Sequence, residues 1–255
     1  MFKCWFLTAL SIMVIFSGIN VKAQSFGFGC LGLVGGYVGY SYQIYKPSGL
    51  NTYIQTFNLL RKDSIQGSMQ NFGKSSGYRV GINFYSADLR GFILTAKGFY
   101  QSLGEANSAS VAPSSGNTTS TNLDFKLNSW GIGFDLGTSI TNSLSWKVVD
   151  ASLLFNSAEF TNTTNYPGAI TNVNTYKTDK QVLGYTVGTG FILGIIGHYV
   201  SIEGFAGFTY LKINNLKQDD GTYLTVNESS TSVMNNFIDA GGFNAVIQIN
   251  VGFPL

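Results

Sequence analysis

Eight segments of alternating polarity, joined by connections that are alternately short and long, constrain the fold of this 255-residue chain most strongly. Successive side chains of a β-strand point to opposite faces, so each segment predicts a strand with one apolar and one polar face. The predicted strands cover residues 29–45, 77–85, 91–103, 124–140, 145–160, 180–196, 198–213 and 241–255.

The lengths of the connections indicate how these strands are arranged. The short connections are 86–90, 141–144 and residue 197, and the long ones are 46–76, 104–123, 161–179 and 214–236. In an antiparallel sheet, strict alternation places every long connection at the same end, as in outer-membrane barrels with short periplasmic turns and long outer loops. We therefore predict an all-β fold, an eight-stranded antiparallel up-and-down transmembrane β-barrel. Stretches 108–122 and 161–175 are rich in Ser, Thr, Asn and Gly and are predicted to be solvated loops.

The composition agrees with a barrel in a membrane. Charged residues make up 11% of the chain, whereas about 25% is usual in soluble domains. Beyond the N-terminus no segment resembles a helical span of about 20 apolar residues, and a closed barrel is then the remaining way to cross a bilayer. The alternative, a soluble lipocalin-like barrel, would need an apolar interior and a polar exterior.

The N-terminus has the features of a secretory signal peptide. Lys3 precedes an apolar run from Trp5 to Phe16, and small or slender residues flank Lys22 before a cleavage site after Ala23. We predict a signal peptide over 1–23 and a barrel domain over 24–255. Cleavage would lower the 15 basic side chains to 13, equal to the 13 acidic ones, so the charge balance does not favour a nucleic-acid partner. Cys30 would be the one remaining cysteine, which excludes an internal disulfide.

The C-terminal segment GGFNAVIQINVGFPL predicts the strand that closes the barrel. Its apolar row is predicted to face lipid and consists of Phe243, Ala245, Ile247, Ile249, Val251 and Phe253. Aromatic residues are also expected to form two girdles at the membrane interfaces. The loop-side girdle would contain Tyr42, Tyr45, Tyr78, Tyr100, Phe160, Tyr185, Tyr210 and Phe237, and the turn-side girdle Phe28, Phe84, Phe92, Trp146, Tyr199 and Phe253.

With these features the chain resembles the small eight-stranded outer-membrane β-barrel proteins of the OmpX and OmpA type, within the porin-like barrels. The resemblance implies export to the outer membrane of a Gram-negative bacterium, a monomer surrounded by outer-membrane lipid, and insertion by the barrel assembly machinery. The tail VIQINVGF resembles the C-terminal signal that this machinery reads. Family members often end on the aromatic residue, whereas Pro254 and Leu255 follow Phe253 here.

Five charged residues fall on the polar faces of the predicted strands and are candidate lumen residues: Arg79, Lys97, Asp135, Asp150 and Glu203. Buried charges require partners, so the two cations are expected to share the three carboxylates. An eight-stranded lumen is just wide enough to be filled by side chains. The charges would form either an ion-pair network that plugs the barrel or a selectivity ring in a narrow pore.

The sequence offers little for catalysis. His198, Ser201 and Glu203 resemble the residue types of barrel enzymes that deacylate lipid A, but His198 is at the short-turn end and faces away from the other two by parity. We expect no enzyme activity, no cofactor and no metal site. The expected function is a surface barrel whose loops serve adhesion, envelope integrity or partner docking. The alternatives are a narrow passive channel for ions or very small solutes and, less favoured, a lipid-modifying enzyme.

Overall fold

A computed structural model describes residues 35–112, 118–168, 171–196, 199–227 and 230–252. Its elements are β1 (Gly35–Ile44), α1 (Ser48–Leu60), β2 (Ile65–Gln66), β3 (Lys74–Leu89), β4 (Phe92–Val111), β5 (Thr119–Ser139), β6 (Leu144–Asn165), β7 (Asn172–Lys177), β8 (Val182–Ile196), β9 (Val200–Tyr210) and β10 (Phe243–Gly252). The predicted signal peptide 1–23 lies outside the described residues, as do Phe28, Cys30, His198 and Phe253. No helix in the described ranges is long and apolar enough to cross a membrane.

Eight strands form a closed antiparallel barrel in the order β1, β3, β4, β5, β6, β8, β9 and β10. Closure occurs where β10 pairs with β1, with Ile249 opposite Val38. The fold is therefore the eight-stranded up-and-down transmembrane barrel that the sequence predicts. At one end the turns are short: β3 and β4 are joined by Arg90 and Gly91, whose positive φ angles of 58° and 96° suit a tight hairpin.

At the other end, two predicted loops are largely strand. β4 and β5 remain paired as far as Val111 and Thr119, and β6 continues to Asn165 and also pairs with β7. The prediction of solvated loops over 108–122 and 161–175 is therefore wrong for most of these residues. The prediction relied on composition alone. Cross-strand backbone hydrogen bonds extend the sheet through these stretches, and side chains on its inner face, such as Leu123, are buried.

A helix also lies within the connection 46–76 that was predicted as loop. The buried residues of α1 are Leu50, Tyr53, Ile54 and Phe57. Their spacing of three, four and seven residues is the pattern of an amphipathic helix, so the sequence did carry the signal. α1 uses this apolar face to pack inside the long-connection end of the barrel.

An apolar band surrounds the exterior of the barrel on the side of the short turns. Its exposed members include Val38, Val80, Ile82, Trp130, Ile132, Phe134, Leu153, Phe155, Leu183, Val187, Phe191, Ile202, Ile247 and Ile249. Continuous exposed apolar surface of this kind is typical of a barrel surrounded by lipid rather than water.

The polarity of the two faces reverses along the same strands beyond this band. On β5 the outward row changes at Trp130, because Asp124, Lys126 and Asn128 follow the apolar residues toward the long-connection end. The inward row changes in the opposite sense, and Phe125 and Leu127 are buried there. The barrel is thus arranged for lipid near its short turns and like a water-soluble protein near its long connections.

A charge placed in the apolar band should destabilise the barrel. We expect Ile132→Arg to cost about 2–4 kcal/mol, since lipid cannot solvate an arginine near the middle of a bilayer. Asn122→Arg on the same strand and face, but beyond the band, should change stability by no more than about 0.5 kcal/mol. Denaturant titrations of both variants in lipid vesicles measure the difference, and equal effects would place lipid somewhere other than at this band.

The exposed aromatic residues partly match the predicted girdles. At the edge of the band nearer the long connections, Tyr78, Tyr100 and Trp130 form a row with ring-centroid distances of 6.2 and 5.0 Å. Tyr185 stacks on Tyr210 with a centroid distance of 5.1 Å. Phe84, Phe92, Trp146 and Tyr199 are exposed toward the short turns. For three members of the loop-side girdle the prediction is wrong, because they are buried inside the barrel: Tyr45, Phe160 and Phe237.

Candidate functional site

The lumen contains a buried group of charged side chains, which we call the ion cluster and define as Lys97, Asp135, Lys147, Asp150 and Glu203. Lys147 is its centre, and its Nζ lies 3.0 Å from Asp135, 2.6 Å from Asp150 and 2.6 Å from Glu203. Lys97 pairs with Asp150 and lies 3.8 Å from Asp135. Carboxylates from β5, β6 and β9 are thereby tied to cations on β4 and β6 across the barrel.

Amide side chains of the closing strand complete the coordination of Glu203. Gln248 Nε2 and Asn250 Nδ2 donate to Glu203 Oε2 over 3.3 and 3.4 Å. Asn250 also donates to Ser201 Oγ at 3.1 Å. The inward row of β10 therefore links barrel closure to the ion cluster, because its amides satisfy the carboxylate oxygen that Lys147 does not contact.

The structure places the predicted lumen residue Arg79 inside the barrel but not within the ion cluster. Its guanidinium Nε and Nη2 donate to Gln101 Oε1 at 3.0 and 2.7 Å, and it lies 4.3 Å from the centroid of the Phe99 ring. No ion pair joins Arg79 to a carboxylate within the described ranges. The expectation that Arg79 and Lys97 share the carboxylates thus holds for Lys97 alone, because Gln101 and the aromatic face accommodate Arg79 instead.

Lys147 was missed by the sequence analysis because a β-bulge changes the direction of its side chain. Simple alternation from Asp150 would turn residue 147 outward. In the structure the register of β6 against β8 shifts between Lys147 and Asp150, so that both side chains face the lumen. The consecutive apolar residues Val148 and Val149 were the available signal of this irregularity.

A layer of large side chains lies in the lumen next to the ion cluster. Tyr37, Phe99 and Leu154 pack together and are buried. Phe99 fits because it lies against Gly131, where a Cβ atom would overlap its ring. Phe205 similarly occupies space beside Gly188. The apolar residues that interrupt the polar rows of the sequence, including Ile93, therefore fill the lumen.

The long-connection half of the lumen is filled by an apolar plug, which we define as α1 together with residues 211–227 and 230–238. Its side chains are buried with those on the inner faces of β4, β5 and β6. Phe237 is central, because its ring centroid lies 5.8 Å from both Phe125 and Phe160. A carboxylate also fixes the chain that enters and leaves α1, since Glu105 accepts hydrogen bonds from Tyr45 Oη at 2.6 Å and from the Lys74 backbone at 2.9 Å.

Burial and the hydrogen bond to Glu105 raise the pKa of the Tyr45 hydroxyl far above its usual value. The hydroxyl therefore stays protonated and continues to donate at any physiological pH. At the rim, Lys217 Nζ lies 2.8 Å from Asp179 Oδ1, and this hydrogen bond lowers the pKa of the exposed Asp179 carboxyl. The first contact attaches the connection that contains α1 to β4, and the second joins two of the long connections to each other.

Above the plug, at the mouth of the long-connection end, a polar pocket of ≈ 450 Å³ opens outward. Its walls are the inner faces of β5, β6 and β7, and its lining includes Thr121, Asn162, Thr164, Asn174 and Tyr176. This pocket is not among the features predicted from the sequence. The Thr- and Asn-rich stretches that form it were interpreted as loops, although their alternate positions share one inner face.

The C-terminal strand residues named from the sequence point outward. Phe243, Ile247, Ile249 and Val251 are exposed on the apolar face of β10, while Asn244, Val246, Gln248 and Asn250 are buried on the other face. β10 pairs with both β1 and β9. Phe253 lies outside the described residues, as does the histidine of the considered Ser–His–acid set, His198. Ser201 and Glu203 of that set face the lumen.

No protein-family model and no curated protein sequence matches the chain. Two solved barrels resemble it in fold. The attachment invasion locus protein Ail of Yersinia pestis shares 10% sequence identity over 86% of this chain and 97% of its own, with a TM-score of 0.36. The outer membrane protease OmpT of Escherichia coli shares 7% identity over 93% of this chain and 99% of its own, with a TM-score of 0.41. At these values the likeness concerns the barrel fold and carries nothing about activity.

Proposed function

We propose that the protein is an integral outer-membrane barrel, sealed along its lumen, that binds a partner at its long-connection end and catalyses no reaction. The apolar exterior band supports a position in the membrane, and the outer-membrane barrel pattern orients the short turns toward the periplasm and the long connections outward. The observation that carries the proposal is the filled lumen, since three successive layers occupy it from the ion cluster to the plug.

Each layer opposes permeation for a different reason. Each carboxylate of the ion cluster contacts a lysine, and with Arg79 the lumen holds three buried cations for three carboxylates, which leaves little net charge to attract an ion. The Tyr37, Phe99 and Leu154 layer offers a single phenol oxygen to a desolvated ion, far fewer ligands than the hydration shell that the ion would lose. The plug adds an apolar core, and close packing of this kind leaves few voids large enough for water.

Planar-bilayer recordings test the sealed barrel. Purified protein, shown to be folded by its heat-modifiable migration on gels, should insert without producing steady single-channel steps. A variant that opens the lumen, Phe99→Ala with Leu154→Ala and Phe237→Ala, should produce leak currents at the same protein density. Steady unitary steps from the unaltered protein would refute the sealed barrel.

A narrow channel is the second candidate, because some lumen groups lack protein partners. Asn83 Oδ1, Thr95 Oγ1 and Ser152 Oγ are buried without a hydrogen bond to any described residue. Buried polar atoms of this kind are usually satisfied by water, so a file of water beside the ion cluster is the route that such a channel would use. The same recordings decide between the candidates.

The non-enzymatic part of the proposal is supported by how the polar lumen residues are used. Glu203 is held by Lys147, Gln248 and Asn250, and Ser201 accepts from Asn250. Both side chains are buried, so a substrate would have to displace these contacts to reach them. Unchanged lipid A in cells that express or lack the protein would agree with this proposal, and a changed acylation pattern would contradict it.

A further inference from the structure

The outer pocket is built from neutral hydrogen-bonding side chains on regular strands. Thr121 on β5 is directly opposite Thr164 on β6, and Asn162 on β6 is opposite Asn174 on β7. All four lie on the inner faces that line the pocket. A paired sheet fixes these side chains at regular spacing, so the wall is preorganised in a way that a loop would not be.

Aromatic side chains complete the lining. Tyr53 of α1, Tyr166 and Tyr176 contribute phenol rings, which present a flat apolar face and a hydroxyl group. The volume of ≈ 450 Å³ falls within the range of about 300–1,000 Å³ that is usual for small-ligand sites. The pocket therefore fits a compact ligand that combines many hydroxyl groups with apolar C–H faces.

The wall also contains an acceptor that lacks a partner. Asn162 Nδ2 donates to Tyr53 Oη at 3.1 Å, which fixes the orientation of the amide. Asn162 Oδ1 is buried and has no hydrogen bond within the described part of the chain. Buried acceptors are rarely left unsatisfied, so a donor from an ordered water or from a ligand belongs beside it.

The charge of the lining selects among ligands. Of the described residues around the pocket, Arg61 alone is charged, and it lies over the Phe57 ring at 4.1 Å. A polyanion such as a sulfated chain would require several cations, and a cationic ligand would require carboxylates. Amides and hydroxyls beside aromatic rings suit an uncharged sugar, whose hydroxyls exchange hydrogen bonds while its C–H face packs on a ring.

We propose that this pocket binds a short neutral oligosaccharide. The inference rests on the proposed function, since it names the class of partner at the outer end of the sealed barrel. The hydroxyls of Thr121 and Thr164 and the amide of Asn174 exchange hydrogen bonds with sugar hydroxyls, and a tyrosine ring supports the sugar face.

Titration calorimetry and saturation-transfer NMR test this inference on the whole protein in a detergent without a sugar head group. The probes are maltotetraose, tetra-N-acetylchitotetraose, lacto-N-tetraose and a heparin-derived tetrasaccharide. At least one neutral probe should bind, and its transferred saturation should come from aromatic protons. Thr164→Val, which removes one hydroxyl at nearly constant volume, should weaken binding about three- to tenfold.

Thr163→Val is the matched control, because Thr163 is the adjacent residue on β6 and faces outward. It should leave the affinity unchanged, and heat-modifiable migration verifies that both variants are folded. Failure of all three neutral probes, preference for the heparin fragment, or equal effects of the two variants would overturn the inference. These binding results give no information on conduction through the lumen. The bilayer recordings therefore test the sealed barrel independently of sugar binding.

Discussion

Replacing Lys147 by Met should destabilise the barrel by about 3–5 kcal/mol, the usual cost of removing one partner from a buried ion pair. Lys147 contacts Asp135, Asp150 and Glu203, and its side chain is buried. Without Lys147, the ion cluster retains one cation, Lys97, to balance its three carboxylates. Denaturant titrations in lipid vesicles measure the change in the free energy of unfolding.

Two comparisons make this prediction specific to the ion cluster. Lys126→Met alters an exposed lysine of β5 that lies opposite Glu159, and a surface pair of this kind contributes about 0–1 kcal/mol. Adding Glu203→Gln to Lys147→Met removes one uncompensated carboxylate and should recover part of the loss. If Lys147→Met is no more harmful than Lys126→Met, Lys147 does not hold the cluster together.

Replacing Phe237 by Ala should destabilise the plug by about 3–5 kcal/mol, because it leaves a cavity between large side chains that relax only partly. Phe237 is fully buried between Phe125 and Phe160. The barrel strands keep their own hydrogen bonds, so the plug should unfold at lower denaturant than the barrel. Limited proteolysis within residues 211–242 should accelerate accordingly.

Tyr223→Ala is the control for the plug, because Tyr223 belongs to the same connection but is exposed. A surface change of this kind should alter stability by no more than about 0.5 kcal/mol. Equal rates of proteolysis in the two variants would mean that Phe237 does not anchor the plug.

The eight strands were predictable because outward rows such as that of Ile247, Ile249 and Val251 remain apolar throughout the band. The outward row of a barrel in lipid must be apolar at every position within the band. The alternation is therefore visible in the sequence even where an inward apolar residue such as Phe99 interrupts the polar row. The order of the strands then follows from the alternation of short and long connections and from the antiparallel pairing of strands that follow one another in the chain.

The missed features have separate physical causes. A bulge displaced Lys147 from the expected parity. With Lys147 included, three cations and three carboxylates lie buried in the lumen, since Arg79 also remains inside. The prediction of two cations and three carboxylates in the lumen therefore lacked one cation.

Beyond the apolar band, toward the long connections, apolar side chains face inward and polar side chains face outward, which is the reverse of the arrangement within the band. This reversal explains the remaining errors of prediction. Phe160 and Phe237 were expected at a membrane interface but are buried in the plug. The paired Thr and Asn residues of β5 and β6 were expected in loops. A single inside–outside rule for the whole chain fails wherever a strand leaves the lipid.

The strands that cross the band continue without a break into the walls of the pocket, so the protein has no hinge between anchor and binding end. From Asn128 to Ser120 the outward row of β5 is polar. At about 3.3 Å per residue and a tilt of about 40°, these strands carry the pocket roughly 20 Å beyond the membrane surface. The extended strands form a rigid support for the pocket. A ligand bound there is therefore held at a fixed height above the lipid and in a fixed orientation to it. Under the proposed function, the pocket would reach ligands that extend to this height above the lipid and would not reach those that lie closer to the membrane.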